Sequence, residues 1–315
     1  MRYHSILGLS SATICLFISM AACDKLNLAG GGIPGGGMAS FTKLLPDSMI
    51  PIPPSFLAKA GNLLYDREVE QREKENEKEA DPNVTGQMDR IFQRLKEAAL
   101  THPKYGEVAK EMDWRLNTIR DKKELAMAVA YPGGGIAIYT GVFPAAQNEG
   151  ALAAILGHEM AHVLARHALK RMTGDVAAAA VTIGPMIASG VAPDKMDPKY
   201  IVPVAGALGA GYLFGVRQQW QQSQELDADC LGLELAAKAG YDPEKIQGFW
   251  QKMNNAAEAN NKKYQFLSDH PINKERLDHI NTPKCLPQAQ KDYKEAEKNG
   301  KQQDAATLLP GQQLS

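Results

Sequence analysis

Two histidines four residues apart, His158 and His162, enclose Glu159 in the string His158-Glu159-Met160-Ala161-His162. On a helix this spacing sends both imidazoles out of one face, about one turn apart, as two neighbouring zinc ligands require. Glu159 stands beside the first of them, where a general base toward a metal-activated water belongs. At this chain's frequencies of His and Glu, such a string arises by accident in roughly one sequence in a hundred. The surroundings make accident rarer still. Ala151 to Leu156 is an apolar approach, so the imidazoles enter a mostly buried helix, where an unpartnered polar pair costs free energy. A purely structural histidine pair is the competing reading.

The third ligand decides the class of site. A metzincin continues with Gly and His at positions 165 and 168, but both are Ala here, which removes that option. His167, five beyond His162, is rotated off the ligand face of a continuous helix and reads as a packing or ligand-supporting residue. Glu225, in Gln224-Glu225-Leu226-Asp227-Ala228-Asp229, completes a set of two His and one Glu and leaves a fourth position open. On spacing alone it has many rivals among the carboxylates. Asp229, one turn later, is placed to accept the free N–H of a ligand histidine and fix its tautomer.

These residues need elements to hold them. A helical pattern begins at Phe56 and runs through the charge-dense stretch Asp66 to Ala80, read as a solvated face. Asp81-Pro82 breaks it, and Met88, Ile91, Phe92 and Leu95 mark the buried stripe of a second helix. Trp114 to Ile119, Leu125 to Tyr131 and Ile136 to Thr140 suggest a small antiparallel sheet. The active-site helix is expected from about Ala151 to Met172, capped by Asn148 and stopped by Gly174. Two apolar stretches, Val176 to Ala192 and Ile201 to Val216, are short for membrane spans and carry internal Gly and Pro, which favours buried or groove-lining helices. A further helix, Gln218 to Ala239, ends at Gly240. Residues 286–315, rich in Lys, Gln, Glu and Asp, read as a polar disordered tail.

The whole chain fits this picture. Its 315 residues are 44% hydrophobic, enough for a large packed core, and its formal charge of −1 argues against a nucleic-acid partner. Arg2, the nearly uncharged run Ile6 to Ala22 and the small residues before Cys23 read as an export signal. Small residues followed by Cys resemble a bacterial lipoprotein signal, with residues 1–22 removed and Cys23 lipidated. Asp24 resembles an inner-membrane retention signal of enteric bacteria, a rule that differs between bacteria, so inner and outer membrane both stay open. Residues 23–55, with Gly30 to Gly32, Gly35 to Gly37 and Pro51, Pro53 and Pro54, read as a tether to a domain spanning 56–285. Cys230 and Cys285 are either a disulfide, which an exported compartment permits, or two separate thiols.

Four segments, in order, resemble the zinc gluzincins that include the CAAX prenyl proteases, the HtpX-type heat-shock membrane proteases and the Oma-type mitochondrial proteases. Pro132 to Ile136 with Gly141 resembles the family's glycine turn and edge strand. His158 to His162, extended to His167, matches its zinc helix. Glu225 to Gly232 matches the Glu-x-x-Ala-Asp segment that gives the third ligand, and Ala239 to Pro243 follows as in relatives. Phe266 to Pro271 with Arg276 resembles the closing Ser-Thr-His-Pro…Arg motif. The likeness runs from about Asp81 to Thr282 and is strongest to exported lipoprotein or periplasmic bacterial members. Gln222, Met127 and Asp269 depart from the usual Arg, Asn and Thr, which bears on substrate positioning rather than on ligands or base.

The resemblance implies an α+β fold, a mostly helical zincin-like domain with its small sheet beside the active-site helix. It implies one Zn2+ per chain on His158, His162 and Glu225, with Glu159 as base. His270 is then a group that stabilises the oxyanion, a fourth ligand that caps the zinc, or a structural histidine; Arg276 reads as a structural ion-pair partner. The strand near Ile136 to Thr140 is expected to bind an extended peptide by adding it to the sheet. The expected activity is hydrolysis of misfolded or unassembled envelope proteins by a lipid-anchored, periplasm-facing enzyme, with outer-membrane assembly machinery as a possible partner. A client-binding chaperone or assembly factor with little proteolysis is the alternative, and an integral-membrane protease using the two apolar stretches is a third.

Overall fold

The computed structural model describes residues 54–120, 127–171, 218–258, 270 and 273–304. The export signal, nearly all of the tether and both apolar stretches within 176–216 lie outside these residues. No described helix is long and apolar enough to cross a membrane.

Helix α1 (Pro54–Lys74) is followed by α2 (Pro82–Leu100). Asp81 starts α2 by accepting from the Asn83 amide, with Pro82 in the first turn where its missing N–H costs nothing. The stripe Val84, Met88, Ile91, Phe92 and Leu95 is buried in the main core, as its spacing requires. After the short α3 (Gly106–Glu111) come β1 (Arg115–Ile119), β2 (Ala128–Ala130) and β3 (Gly135–Tyr139).

The sheet is mixed rather than wholly antiparallel. Its order is β1-β3-β2, with β2 antiparallel and β1 parallel to β3. The reason is geometric: the chain reverses between β1 and β2 and again between β2 and β3, so β1 and β3 run the same way. Pairing β1 with β3 therefore gives a parallel ladder. The glycine turn between β2 and β3 needs its glycine at Gly134, where φ is +103°. The strand expected to receive a peptide, Ile136 to Thr140, is essentially β3, which is central and paired on both sides; among the described residues the edges of the sheet are β1 and β2.

A 3-10 turn (Thr140–Val142) and a four-residue helix, α4 (Phe143–Ala146), lead into α5 (Glu149–Leu164). Asn148 caps α5 by accepting from the Ala151 amide, and every residue of α5 is buried. The helix does not run on to Met172. It ends at Ala165, Arg166 takes φ of 52°, and a new helical turn starts at His167. Helix α6 (Gln218–Lys238) lies against α5 with glycines at the crossing. A Cβ at Gly157 would meet the Gly232 carbonyl oxygen at 2.8 Å, and one at Gly232 would meet the His158 nitrogen at 2.7 Å. Two helices can approach this closely only where neither carries a side chain.

Helices α7 (Pro243–Glu258), α8 (Lys274–Ile280) and α9 (Leu286–Lys298) complete the domain. Helix α9 corrects the expectation of a disordered tail from 286. Its polar composition hides a narrow inner face, Ala289, Asp292 and Ala296, that packs toward α6, where Lys238 pairs with Asp292 at 2.9 Å. Beyond it the Gln303 amide donates to the Gly240 carbonyl at 2.8 Å. Cys230 and Cys285 are bridged, tying α6 to the start of α9 across a sequence separation of 55.

Candidate metal centre

Helix α5 presents His158 and His162, α6 presents Glu225 and Asp229, and His270 approaches from the segment before α8. Four donor atoms converge. His158 Nε2 lies 3.1 Å from His162 Nε2 and 3.1 Å from Glu225 Oε2. His162 Nε2 is 3.4 Å from Glu225 Oε1. His270 Nδ1 closes the set at 3.1 Å from His158 Nε2 and 3.0 Å from Glu225 Oε2. Ligands in a tetrahedron about zinc, at about 2.0–2.1 Å from its centre, stand about 3.3–3.4 Å apart. The donor set fits such an ion, and three imidazole nitrogens facing one another without a cation leave their lone pairs in repulsion.

The outer contacts set which nitrogen faces inward. His158 Nδ1 is 3.1 Å from Asp229 Oδ1, so it carries the proton and Nε2 presents its lone pair to the centre. His167 does the same for His162, Nδ1 to Nδ1 at 2.9 Å. Only the break at Arg166 makes this possible, because in an unbroken helix His167 would point away. Asp229 is itself gripped by Arg276, which donates through Nε at 2.7 Å and Nη2 at 2.6 Å. The same guanidinium donates from Nη1 to the His270 carbonyl at 2.9 Å and lies 3.3 Å from Glu225. Arg276 thus joins the two halves of the cluster in one ion-pair network while only 1% exposed.

Charge follows from these contacts. Burial disfavours the His158 cation, but Asp229 and Glu225 outweigh it and raise its pKa to about 9. Burial holds His162 well below the ordinary histidine value despite Glu225. Burial pushes Glu225 and Asp229 up, yet His270 and His162 hold the first well below the usual carboxylate range and Arg276 holds the second below it. Glu159, 2% exposed, is raised by burial against the pull of His270 and His158. A carboxyl raised in this way is suited to accept a proton and later give it up.

Glu159 also faces β2. The Ala130 amide hydrogen-bonds to its carboxylate. In the hairpin, Tyr131 donates to the Gly135 carbonyl and Tyr139 to that of Met127, so Met127, Val129 and Tyr131 face β3 and the main-chain groups of Ala128 and Ala130 face outward. Among the described residues the edge strand beside the base is therefore β2.

These features coincide with a family. The profile of peptidase family M48 matches residues 82–284. The chain belongs to peptidase family M48. Its M48 span covers every donor described above. Relatives include the mitochondrial metalloendopeptidase OMA1 of Schizosaccharomyces pombe, 30% identical over 181 residues, which are 57% of this chain and 49% of that protein. The Saccharomyces cerevisiae OMA1 is 26% identical over 216 residues, 67% of this chain and 58% of the relative. The beta-barrel assembly-enhancing protease of Escherichia coli (strain K12) is 28% identical over 158 residues, 48% of this chain and 30% of the relative. The chain thus spans about half or less of most of these relatives' own lengths. M48 metallopeptidases are metal-dependent, in keeping with the donor set.

Of the residues singled out from sequence, His158, Glu159, His162, His167, Glu225, Asp229, His270 and Arg276 meet here. Cys23, the proposed lipidation site, lies outside the described residues, as do Phe266 to Asp269 and Pro271 of the closing motif. Sequence reasoning missed Trp250, a nearly buried wall whose ring centroid is 5.9 Å from that of His158 and 5.8 Å from the Arg276 guanidinium carbon. An apolar helix position gives no signal of such a role. It also missed the Ala130 amide, a main-chain group that no residue type announces.

Proposed function

We propose that this chain is a zinc-dependent metalloendopeptidase that hydrolyses peptide bonds of misfolded or unassembled cell-envelope proteins. The observation that carries the reading is a four-donor cluster of tetrahedral dimensions with a buried glutamate between it and an open strand edge. His158, His162 and Glu225 would hold the ion, and one Zn2+ there supplies Lewis acidity to a water and to the scissile carbonyl. Glu159 takes the proton of the attacking water on its carboxylate and delivers it to the leaving amine nitrogen. An extended substrate pairs with the outward main-chain groups of Ala128 and with the Ala130 carbonyl, the Ala130 amide being held by Glu159, which gives affinity with little sequence demand and suits unfolded clients. Asp229 and His167 keep the ligand histidines in the right tautomers, and Arg276 keeps Asp229 ionised and in place.

His270 favours the capping role over the oxyanion role. Its Nδ1 fills the fourth corner of the donor set, while its Nε2 lies 3.2 Å from Glu159 Oε1. Both the open position and the base are occupied in this arrangement, so it is a closed state. The cellular setting rests on Cys23 as a lipid anchor with the domain facing the periplasm, and on the name of the beta-barrel assembly-enhancing relatives.

The test is metal analysis of purified protein together with cleavage of an unfolded casein-type substrate. Wild type should contain one zinc and lose activity to a chelator. Glu159→Gln should keep the zinc and lose activity by a factor of about 10²–10⁴. Folded protein that binds no zinc would end the proposal. Full complementation of a deletion phenotype by Glu159→Gln would shift it to the chaperone reading, which the capped arrangement of His270 favours as the second choice.

A further inference from the structure

The sheet has a second free edge, and it opens into a groove. A cavity of about 490 Å³ lies between α1, α2 and β1. Trp114, Arg115, Leu116 and Asn117 all line it. Side chains of consecutive strand residues point to opposite faces, so Arg115, Leu116 and Asn117 of β1 can border one groove only if it runs along the strand's edge.

That edge is ready to pair. The Arg115 amide donates to the Gly134 carbonyl on the β3 side, and alternation then turns the main-chain groups of Leu116 and Thr118 outward. The Thr118 carbonyl is taken by the Glu79 amide, part of an antiparallel bridge between Lys78 and Ile119. The bridging segment leaves at Asp81, where Pro82 begins α2. From there back to Leu116 the edge has no strand beside it among the described residues. The short bridge shows that this edge accepts an antiparallel partner.

The walls define what that partner carries. Asp66, Glu70 and Glu73 follow one face of α1, and Asp89 stands opposite on α2. Arg115 pairs with Asp66, Lys74 with Glu70 at 2.7 Å and Lys78 with Glu73 at 2.6 Å, whereas Asp89 has no ion pair among the described residues. Four carboxylates face two lining cations, Lys78 and Arg115. Phe92 and Trp114 give an apolar floor, and Asn117, only 5% exposed, has its Nδ2 without a hydrogen-bond acceptor.

We propose that this groove is a second docking site, binding an extended polypeptide segment that bears Lys or Arg through β-pairing at Leu116 and ion pairs at Asp89 and its carboxylate neighbours. It rests on the client-degrading role proposed above and deepens it. A client strand beside β1 lies four strand spacings, about 19 Å, from a substrate strand beside β2 where Glu159 works, so one part of a client is retained while another part is cut.

The experiment uses full-length, zinc-loaded Glu159→Gln protein, which binds without cutting. A labelled peptide alternating Lys with Thr is titrated by fluorescence anisotropy against the same peptide with Glu in place of Lys. The Lys peptide should bind more tightly, and the preference should shrink with added salt. Asp89→Lys with Glu70→Lys should weaken it by about tenfold. Leu116→Pro, which removes one outward N–H at an edge that tolerates proline, should weaken it too. In the Glu159 background, neither change should alter cleavage of a short reporter peptide. Equal binding of the Lys and Glu peptides, or variants that bind like the parent, would overturn the site. A photocrosslink from position 93 that lands on residues 1–53 of the same chain would overturn the client as occupant. If the chain cuts nothing yet the groove binds as described, the protease reading fails and the groove stands.

Discussion

Replacing Arg276 by Met tests whether the ion-pair network, rather than the ligands alone, holds the metal centre. The side chain is 1% exposed and makes two charge-assisted bonds to Asp229, which is 2% exposed. Its removal strands a buried carboxylate, and breaking a buried pair in this way costs about 3–5 kcal/mol. Asp229 would escape the cost by protonating or by moving, and either change releases His158 Nδ1, held at 3.1 Å. Loss of such an outer partner lowers metal affinity about 10–100-fold. Urea unfolding of the chelated protein reads the first number, and competition with a chromophoric zinc chelator reads the second. Adding Asp229→Asn removes the stranded charge while keeping an acceptor for His158, so the double variant should be more stable than Arg276→Met alone by about 2 kcal/mol, a non-additive result expected of direct partners. A cost below about 1 kcal/mol for Arg276→Met, or no recovery in the double variant, would refute the network argument.

His270→Ala should raise turnover on an unfolded substrate, because it frees the fourth corner and the Glu159 oxygen 3.2 Å away; a drop in kcat would instead identify an oxyanion role. Gly157→Ala puts a methyl group 2.8 Å from the Gly232 carbonyl, which must push α6 and Glu225 outward; both thermal stability and zinc content should fall, the former by about 1–3 kcal/mol. In metal-free protein, burial lowers His167 to about 3, so its stabilising share is present above the unfolded value near 6.5 and is lost as pH falls toward 3. His158 works the other way: raised to about 9, it stabilises below 6.5 and loses that share as pH climbs to 9. Apoprotein stability measured by denaturant across pH should therefore peak near pH 6.5, and His167→Phe should flatten the acid side; an unchanged acid limb would show that His167 is not buried neutral.

The sequence by itself determined the parts that depend on local periodicity and on residue type. His158 and His162 share a face because helical geometry puts positions four apart together, and Asn148 caps that helix because its side chain reaches the Ala151 amide. The stripe on α2 is buried where its spacing requires, and the residue types His, Glu and Asp marked the centre as a candidate metal site. Family likeness, not spacing, chose Glu225 among rival carboxylates; the fold gives the reason, since Gly157 and Gly232 let α6 come close enough for that carboxylate to reach the histidines.

What only the tertiary structure decided are pairings between distant segments. Sequence marks strands but not their neighbours, so the mixed sheet, its central β3 and the free edges at β1 and β2 emerge only when three strands meet. The polar composition of α9 concealed a buried face that exists because α6 lies beneath it, and the bridge between Cys230 and Cys285 needed those two elements side by side. His167 reached His162 through one residue, Arg166, in a left-handed conformation that helix propensity would not place there. A backbone break costs energy locally and is kept where the surrounding packing repays it; here it turns a histidine that would have pointed away into the partner that sets the tautomer of His162.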